Sequence, residues 1–412
     1  MKSTKLPSRI ISPASGFTLV ELMVALALGM LLAIAMSFVY VASKRSFSRQ
    51  QQLSSLQQSV RTAFEYLSSD TRMVGHVGCY TGNPMTSPTF NTTGVSATDI
   101  GTNFALGVEG YDYKNSTVGA YALTSNAPTD ETDSSNWETN VSSSGINVIP
   151  VWSIAGVGNG LTPGSDVLVI RTVSGRPVRL AANANIGTGQ STLSIESGAG
   201  GSAMCSDGST AKVSGFCVNS YGLVASCKQA RVFRVTSSTP STPPAAATLT
   251  LAASMGNDPL YTTDASEVFP MQTIAYYVKR SSSGTTTSLY RRVFDGDHSD
   301  GLEQELIEGV ESLQLRYGVD TSTTSDGVVD RYVSAKGPLG NATDSVTDWS
   351  RVVAVRMGLL VRSTNSVESD LGSMASGGIV NGVSVTYPTS GSKYDRRVFT
   401  TTMAVRNKIA YF

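Results

Sequence analysis

The sequence has few charged side chains and no excess of either sign. Of its 412 residues only 15% are Asp, Glu, Lys or Arg, and 31 basic residues balance 31 acidic ones. Such a chain has no strong positive field to attract nucleic acid, so we predict no direct nucleic-acid binding. Gly, Ser and Thr are abundant and most apolar runs are short, which is typical of a β-rich, loop-heavy exported protein.

The sequence also lacks the local signatures of catalysis. It contains two histidines, His76 and His298, and we find no G-x-S-x-G elbow, no G-x-x-x-x-G-K phosphate loop and no H-E-x-x-H helix. We therefore predict that the protein is not an enzyme and needs no cofactor. Catalytic triads are defined by geometry rather than by sequence position, so an enzymatic alternative stays open at this point.

Two acidic runs have the composition of calcium loops. In the run DGDHSDG at 295–301 the third acid falls one residue late for an EF-hand, and the stretch 320–330 contains Asp326 followed by Gly327. We interpret the first as a solvated turn and the second as a hairpin loop. Calcium is the alternative for each, and no metal site is predicted.

The N-terminus consists of a basic leader and a long apolar segment. Residues 1–16 carry three basic side chains and no acid, and Pro7 and Pro13 disfavour a helix there. Residues 17–42 are almost wholly apolar. A helix of that length would extend about 39 Å and cross a hydrocarbon layer of about 30 Å. The segment is therefore predicted to enter a membrane.

Three interpretations of this apolar segment compete. A secretory signal peptide would end at the small-x-small sequence of residues 33–35, whereas a plain membrane anchor would remain uncut. Both leave Glu21 unexplained, because a carboxylate inside an apolar span costs roughly 2.5–3.5 kcal/mol. The third interpretation supplies a partner for this carboxylate.

The segment GFTLVELMVALALGMLLA at 16–33 resembles the type IV prepilin motif. The resemblance implies that a prepilin peptidase cuts between Gly16 and Phe17 and that the new amine of Phe17 is N-methylated. It also implies that Glu21 of one subunit pairs with the Phe17 amine of its neighbour in a filament. That pair would neutralise the buried charge and fix the register between subunits.

Beyond the apolar segment, residues 43–75 read as the amphipathic half of the same helix. Apolar residues recur at mostly three- and four-residue steps, namely Phe47, Leu53, Leu56, Val60, Phe64 and Leu67. No strong stop signal occurs before Gly75 and Gly78, so one helix is predicted from Phe17 to about Val74. Major pilins often have a proline where this chain has Phe38, which leaves a bend in the helix undecided.

Residues 79–412 are predicted to form a periplasmic or extracellular domain rich in β-structure. We expect a loop region from Cys79 to about residue 146. Strand candidates follow at 147–152, 166–173, 230–236, 247–252, 272–280, 287–293, 312–317, 351–362 and 397–407. The Pro/Ser/Thr-rich stretch 237–247 is a linker or a long hairpin loop. The predicted fold class is α+β, a long pilin helix followed by this domain.

Four cysteines form an even set in the exported part of the chain. Cys79, Cys205, Cys217 and Cys227 lack the two-residue gaps of a thiolate zinc site, so disulfides are predicted. Three pairings are possible. The short separation of Cys205 and Cys217 favours a local link, which leaves Cys79 to pair with Cys227.

Several segments of the domain resemble minor pilins of the PilW family and, more distantly, J-type pseudopilins of type II secretion. They are GSDVLVIRTVSG at 164–175, IAYYVKR followed by SLYRR, LIEGVESLQLRYGVD at 306–320 and RRVFTTTMAVRN at 396–407. J-type pseudopilins are usually much shorter than this chain, and the order of the segments favours PilW.

The resemblance implies a minor pilin that primes a type IV pilus at or near its tip. Its implied partners are other minor pilins, the major pilin, the pilus assembly platform and a large tip adhesin. Adhesion, twitching motility and DNA uptake are the implied downstream roles. Before assembly the chain would cross the inner membrane once, with its domain in the periplasm, and afterwards it would lie in the pilus at the cell surface. A type II secretion pseudopilin and a membrane-tethered adhesive or binding module are the alternatives.

Overall fold

The computed structural model of the chain describes most of the helix and of the C-terminal domain. The described residues are 16, 18–82, 84, 87–95, 101–113, 120–123, 136–138, 161–196, 204–206, 208, 212–240, 246–295, 297–298, 301–336, 346, 348–363, 377–387 and 394–405. The chain divides into two compact units, Met1–Ser55 and Leu56–Phe412.

A single helix, α1, occupies Leu19–Arg72. It ends close to the predicted Val74, because Gly75 adopts a left-handed φ of 67° and its N–H donates to the Arg171 carbonyl at 3.2 Å. The start predicted at Phe17 lies outside the described residues. The assignment as one continuous α-helix agrees with the prediction of a single element.

The predicted amphipathic stripe is buried only in the second unit. There Leu56, Val60 and Leu67 are buried, and Phe64 packs against the core from a partly buried position. Phe47, in the first unit, is 68% exposed and does not share this burial. Each fully buried Leu or Val contributes about 1.5–3 kcal/mol, so the second part of the helix is an integral part of the domain.

The domain is built from short and long strands, as predicted for a β-rich fold. In chain order the described strands are β1 (Phe90–Asn91), β2 (Val108–Tyr113), β3 (Ala120–Ala122), β4 (Trp137–Glu138), β5 (Val167–Val173), β6 (Val178–Arg179), β7 (Thr192–Ile195), β8 (Tyr221–Ala225), β9 (Ala230–Thr239), β10 (Ala247–Leu251), β11 (Glu267–Arg280), β12 (Thr287–Phe294), β13 (Leu302–Glu308), β14 (Val310–Val319), β15 (Arg331–Val333), β16 (Val352–Arg362), β17 (Gly377–Val380), β18 (Val383–Thr386) and β19 (Arg396–Ala404). A short 3-10 helix, Trp349–Arg351, precedes β16.

Within the described residues these strands form three sheets. The largest has twelve strands and the main order β4-β2-β5-β11-β8-β9-β10-β7, with β1, β6, β12 and β13 joined at its sides. Strand β11 connects two parts of it, since its first residues pair with β8 and its later residues pair with β5 and β12. The second sheet has the order β15-β14-β16-β19, and the third has the order β17-β18-β3.

Most strand candidates that lie on described residues correspond to observed strands. The candidate at 147–152 lies outside the described residues, and so do the last residues of the candidate at 397–407. The prediction of loop alone up to residue 146 was wrong, because β1 to β4 lie there. Strands β6, β7, β8, β13, β15, β17 and β18 were also not predicted. Several of these additional strands are short, and β3, β6 and β7 pair with strands that are distant in the sequence.

The proline-rich stretch 237–247 connects two antiparallel neighbours. Strand β9 continues through Thr239, β10 begins at Ala247, and the two strands pair with each other. The stretch is therefore the long hairpin loop of the two alternatives, with its first three residues and its last residue inside the strands. It does not separate two domains.

The two larger sheets meet at a contact that we call the seam, between residues 164–166 and β14. The Ser165 hydroxyl accepts the Leu313 N–H at 3.0 Å, and the Asp166 carboxylate accepts the Leu315 N–H at 2.8 Å. The Asp166 N–H donates to the Leu313 carbonyl at 2.8 Å. Side chains thus satisfy backbone N–H groups that no neighbouring strand pairs on this side of β14.

The largest hydrophobic core contains residues of α1 and of both larger sheets. Its members include Leu67 of α1, Ile170 of β5, Ile274 of β11, Leu315 of β14 and Val355 of β16. Tyr317 and Trp349 lie in the same core and pack edge to face, with ring centroids 4.9 Å apart. Sheet and helix are therefore stabilised by one shared core around the seam.

Gly110 is required by the close approach of Tyr317. A Cβ atom at position 110 would lie 1.6 Å from the Tyr317 hydroxyl oxygen, and Tyr317 is fully buried. We expect Gly110→Ala to lower the free energy of unfolding by about 2–3 kcal/mol, because the ring has no free space to move into. Urea unfolding of the purified chain measures this loss.

A second variant tests the cause of that loss. The Tyr317 hydroxyl has no hydrogen-bond partner among the described residues, so Tyr317→Phe alone should be nearly neutral. In the Gly110→Ala background it should recover part of the lost stability, because it removes the nearest clashing atom. Equal losses with and without the hydroxyl would contradict the steric explanation.

Candidate functional site

The N-terminus of α1 is capped by reciprocal hydrogen bonds between Thr18 and Glu21. The Glu21 N–H donates to the Thr18 hydroxyl oxygen at 3.3 Å, while the Glu21 carboxylate accepts the Thr18 N–H at 3.4 Å. The Thr18 hydroxyl also donates to that carboxylate at 3.3 Å. This is a capping box, in which Thr18 is the N-cap and Glu21 the third helical residue. Its T-x-x-E signature is present in the sequence at residues 18–21 but was not predicted.

The surface of the helix that follows this cap is apolar and exposed. Its large apolar side chains from Leu19 to Val41 are between 43% and 74% exposed. The most apolar window of α1 has a mean hydropathy of 2.6, enough for a membrane span by length and composition. Glu21 is the one charged residue between Arg9 and Lys44. A carboxylate in such surroundings needs hydrogen-bond donors or a cation.

The predicted cleavage junction is only half described. Gly16 is exposed, and a Cβ atom added to it would meet nothing within 4 Å. Phe17 lies outside the described residues. The fold therefore gives no steric reason for glycine at position 16.

All four cysteines form disulfides in the pairing that their spacing favours. Cys79 is linked to Cys227 with a Cα–Cα distance of 4.5 Å, and Cys205 is linked to Cys217 with a Cα–Cα distance of 6.0 Å. The first link joins the segment after α1 to the β8–β9 turn, and the second closes a local loop. Disulfides of this kind are found in proteins of oxidising compartments.

Two family models match the chain at its two ends. The prokaryotic N-terminal methylation motif matches residues 11–37, and the model described as type IV pilus-assembly protein W matches residues 275–407. These two matches support a prepilin-like pilin of the PilW type. Comparisons with curated proteins and with solved structures gave no match.

The PilW match covers the last six residues of β11 and all of β12 to β19, and so includes the whole four-stranded sheet. Three of the four segments that suggested this family fall in it wholly or almost wholly, whereas residues 164–175 precede it. The matched families are structural pilus components, and they imply interaction with pilus components and a prepilin peptidase in general. The apolar helix and the methylation motif fit a membrane-anchored pilin.

In this pilin the helix is held to the large sheet by a polar anchor that the sequence did not reveal. Asp70, in the last turn of α1, accepts the Tyr276 hydroxyl at 2.5 Å and the Arg291 Nε–H at 2.7 Å. Burial and the Asp70 charge raise the pKa of Tyr276, so its hydroxyl keeps its proton as a donor. The anchor joins α1 to β11 and β12, more than 200 residues later in the chain.

The first acidic run, 295–301, is engaged in side-chain contacts with protein groups. The Asp297 carboxylate lies 2.9 Å from the Lys212 ammonium, and Asp295 pairs with His298 at 3.0 Å. Burial acts to raise the pKa of Asp297, but donors from Lys212 and Ser206 hold it below its ordinary value. The run thus holds the Cys205–Cys217 loop in place, and residues 296, 299 and 300 lie outside the described residues.

Asp297 also lies near the sulfur atoms of one disulfide. Ligand atoms of Cys205, Cys217 and Asp297 lie within 4.8 Å of one another. Both sulfurs are bonded to each other, however, and only a thiolate is a strong metal ligand. While the disulfide is intact, this cluster does not offer a thiolate metal site.

The second acidic run forms the predicted hairpin loop between β14 and β15, which are antiparallel neighbours. The Ser325 hydroxyl donates to the Asp320 carboxylate, which also accepts the N–H groups of Asp326 and Gly327 at 2.9 Å. These donors lower the pKa of Asp320, the Ser325 hydroxyl most strongly. The carboxylate therefore organises its own loop.

Three further ion pairs are buried in the domain. Arg171 lies 2.7 Å from Glu109, and Arg231 lies 2.8 Å from Asp258. Arg396 forms two hydrogen bonds, at 2.7 and 2.9 Å, to the carboxylate of Glu311. Buried pairs of this kind satisfy each other and link neighbouring elements, so we interpret them as structural.

Proposed function

We propose that the chain is a minor pilin of a type IV pilus, cleaved after Gly16 and assembled with other minor pilins to prime the filament at or near its tip. The observation that supports this most directly is the presence of a methylation motif at 11–37 and a PilW match at 275–407 in one chain. The first supplies the helix that enters a membrane and a filament. The second belongs to a family described by pilus assembly.

Cleavage after Gly16 is supported by the exposure of that residue. Packing does not require glycine at this position, and an exposed junction is accessible to a peptidase. On this proposal Phe17 becomes the new N-terminus and is N-methylated. Its amine would then lie in the apolar segment, four residues before Glu21.

Pairing between subunits is supported by the position of Glu21. In the single chain its carboxylate has neutral donors from Thr18 and no cation among the described residues within hydrogen-bond distance. The Phe17 amine of a neighbouring subunit would supply that cation within the membrane, where an ion pair is favourable only with good geometry. Glu21 is thus proposed to fix the axial position of one subunit against the next.

Export of the domain is supported by its two disulfides. On this proposal the folded domain lies in the periplasm while α1 anchors it in the inner membrane, and the assembly platform then moves it into the pilus at the cell surface. The partners are the prepilin peptidase, other minor pilins, the major pilin and a large tip adhesin. Adhesion, twitching motility and DNA uptake would follow from the pilus.

The mature N-terminus tests the proposal directly. Mass spectrometry of the exported protein should show a chain that begins at Phe17 and carries an N-methyl group. Gly16→Val should remain uncut, whereas Gly29→Ala, the matched control with equally open space around its Cα, should be processed normally. A chain that begins at Ser37 or nearby would instead establish a signal peptide.

One observation favours a second candidate, a membrane-tethered binding module. The capping box gives Glu21 a role inside its own chain, because the cap satisfies N–H groups at the start of a helix. A tethered module would need this cap and no neighbour. The variant Glu21→Gln separates the two candidates, since glutamine also serves in a capping box but carries no charge.

A further inference from the structure

Three carboxyl groups lie side by side on β4, on β2 and directly before β5. Asp112 is paired with Glu138 in the ladder between β2 and β4. In the ladder between β2 and β5, Tyr111 is paired with Val167, and the same antiparallel register puts Asp112 opposite Asp166 one step further on. Residues directly opposite project from the same face with Cβ atoms about 5 Å apart, where like charges are destabilising.

Within the part of the chain that the structure describes, one of these three carboxyl groups, that of Glu138, has a lysine partner. The Lys336 ammonium forms an ion pair with Glu138. Asp112 instead accepts the Lys336 backbone N–H at 3.0 Å, and Asp166 accepts the Leu315 N–H at 2.8 Å. Both aspartates therefore hold the edge of the four-stranded sheet through neutral donors. They form the polar part of the seam.

Among the described residues, Arg316 is a cation whose charge acts on both aspartates. The titratable or charged groups around them are Glu138 of β4, Glu109 and Tyr111 of β2, Arg171 of β5, Arg316 and Tyr317 of β14 and Lys336 after β15. Arg171 is bound to Glu109 at 2.7 Å. Arg316 acts on both aspartates but also donates to the Asn381 carbonyl at 3.3 Å. The hydroxyl of Tyr317 carries no charge.

We propose that Asp112 and Asp166 share one proton across the ladder between β2 and β5, and that the seam loosens when this proton leaves. In the closed seam one carboxylic acid donates its O–H to the carboxylate opposite, so that a single negative charge remains. At higher pH the proton passes to solvent and two carboxylates stand directly opposite each other. The repulsion between them then opposes the contact of residues 164–166 with β14.

The direction of the pH effect follows from the two protonation states. Burial raises the pKa of Asp112, and burial together with the charge of Asp112 raises the pKa of Asp166 well above its ordinary value. In the unfolded chain both groups titrate near pH 4. The folded chain therefore holds a proton that the unfolded chain has lost, and its stability falls as pH rises from about 4 through the higher folded pKa.

Urea unfolding of the mature full-length chain in detergent, at steps from about pH 5 to about pH 9, tests this. Trp349 and Trp137 report on the seam, because Trp349 packs on Tyr317 and Trp137 on Tyr113, with ring centroids 4.9 and 5.1 Å apart. Where the folded state alone holds the shared proton, the unfolding equilibrium constant should rise tenfold per pH unit. The variant Asp112→Asn should remove this slope, since the amide donates to Asp166 at every pH.

A control variant and a second test variant distinguish the shared proton from other causes of pH dependence. Asp264→Asn changes an exposed aspartate and should leave the slope unchanged. Asp166→Asn is the second test variant. The infrared C=O band of a protonated carboxyl group reports the shared proton directly. This band should be present in wild type at neutral pH and absent from both Asp112→Asn and Asp166→Asn. Equal slopes in wild type and both variants, or absence of that band, would overturn the proposal. The proposal would also be overturned if calcium chloride abolished the pH dependence of the unfolding equilibrium constant and a chelator restored it. That result would show that Asp112 and Asp166 bind a cation.

Discussion

Cells that carry Glu21→Ala are expected to cleave the chain as well as wild-type cells and to lose their pili. On the proposed function the peptidase recognises mainly the junction at Gly16, so processing should continue. Assembly should fail, because the Phe17 amine of each neighbouring subunit would be left in the apolar layer without a partner. An unpaired charge there costs roughly 2.5–3.5 kcal/mol, or about a hundredfold in equilibrium. Immunoblots of membrane and sheared-pilus fractions measure both steps.

Glutamine at position 21 separates charge from helix capping. The Thr18–Glu21 hydrogen bonds show that the carboxylate also caps its own helix. Such a cap stabilises a helix by about 1 kcal/mol. Glu21→Gln keeps the acceptor oxygen for the Thr18 N–H but cannot neutralise an amine, and we expect it to fail in assembly as alanine does. Wild-type piliation in both variants would leave the cap as the only role of Glu21 and would favour the tethered module.

A matched acid in the same helix controls for general effects on α1. Glu65 is exposed and lies in the part of the helix that packs on the domain, outside the apolar segment. Glu65→Ala should therefore leave both cleavage and piliation at wild-type levels. Loss of pili in this control would attribute the Glu21 effect to the helix as a whole rather than to the membrane-buried charge.

The elements that could be predicted from the sequence are those with a local pattern of apolar residues. The apolar run after Thr18 and the three- and four-residue spacing around Val60 specify one helix, which α1 confirms. Strands such as β5 and β16 are long apolar runs that are buried on both faces, so they could be recognised without knowledge of their neighbours.

The strands that were missed have no such pattern. Strand β13, LEQELIE, is mostly polar and pairs only with β12 among the described strands, so little of it is buried. Strand β3 pairs in parallel with β18, more than 250 residues later, and its length is three residues. A short strand such as β3 is stabilised by a partner that no local window contains.

In the candidate site, too, local features could be predicted from the sequence and long-range contacts could not. Glu21 could be recognised because a lone acid in an apolar run is conspicuous, and its cap with Thr18 was equally visible in the spacing. The anchor of Asp70 to Arg291 depends on the docking of α1, and the proximity of Asp112 to Asp166 depends on the register between β2 and β5. Such contacts follow from the tertiary fold, and only the structure reveals them.

The longest covalent constraint on the fold is the disulfide that follows α1. Cys79 and Cys227 are 148 residues apart in sequence, and both are exposed in the folded domain. Their link therefore stabilises mainly by limiting the unfolded chain, and a loop of this length corresponds to about 5 kcal/mol. The same relation gives about 3 kcal/mol for Cys205 and Cys217, which are 12 residues apart.

Replacing Cys79 and Cys227 together by alanine is thus expected to lower the free energy of unfolding by about 5 kcal/mol, a large part of the total for a typical domain. Urea unfolding of the mature chain measures the loss, and peptide mapping without reductant confirms the pairing. Cys205→Ala with Cys217→Ala is the matched control, with an expected loop contribution of about 3 kcal/mol. The comparison is stringent because the control pair is buried and its replacement also loses packing contacts.

A loss of less than about 1 kcal/mol in the free energy of unfolding for the exposed pair would show that residual structure already restrains the unfolded loop. The expected loss would instead identify this link as the main tie between the segment that leaves α1 and the β8–β9 turn of the pilin domain.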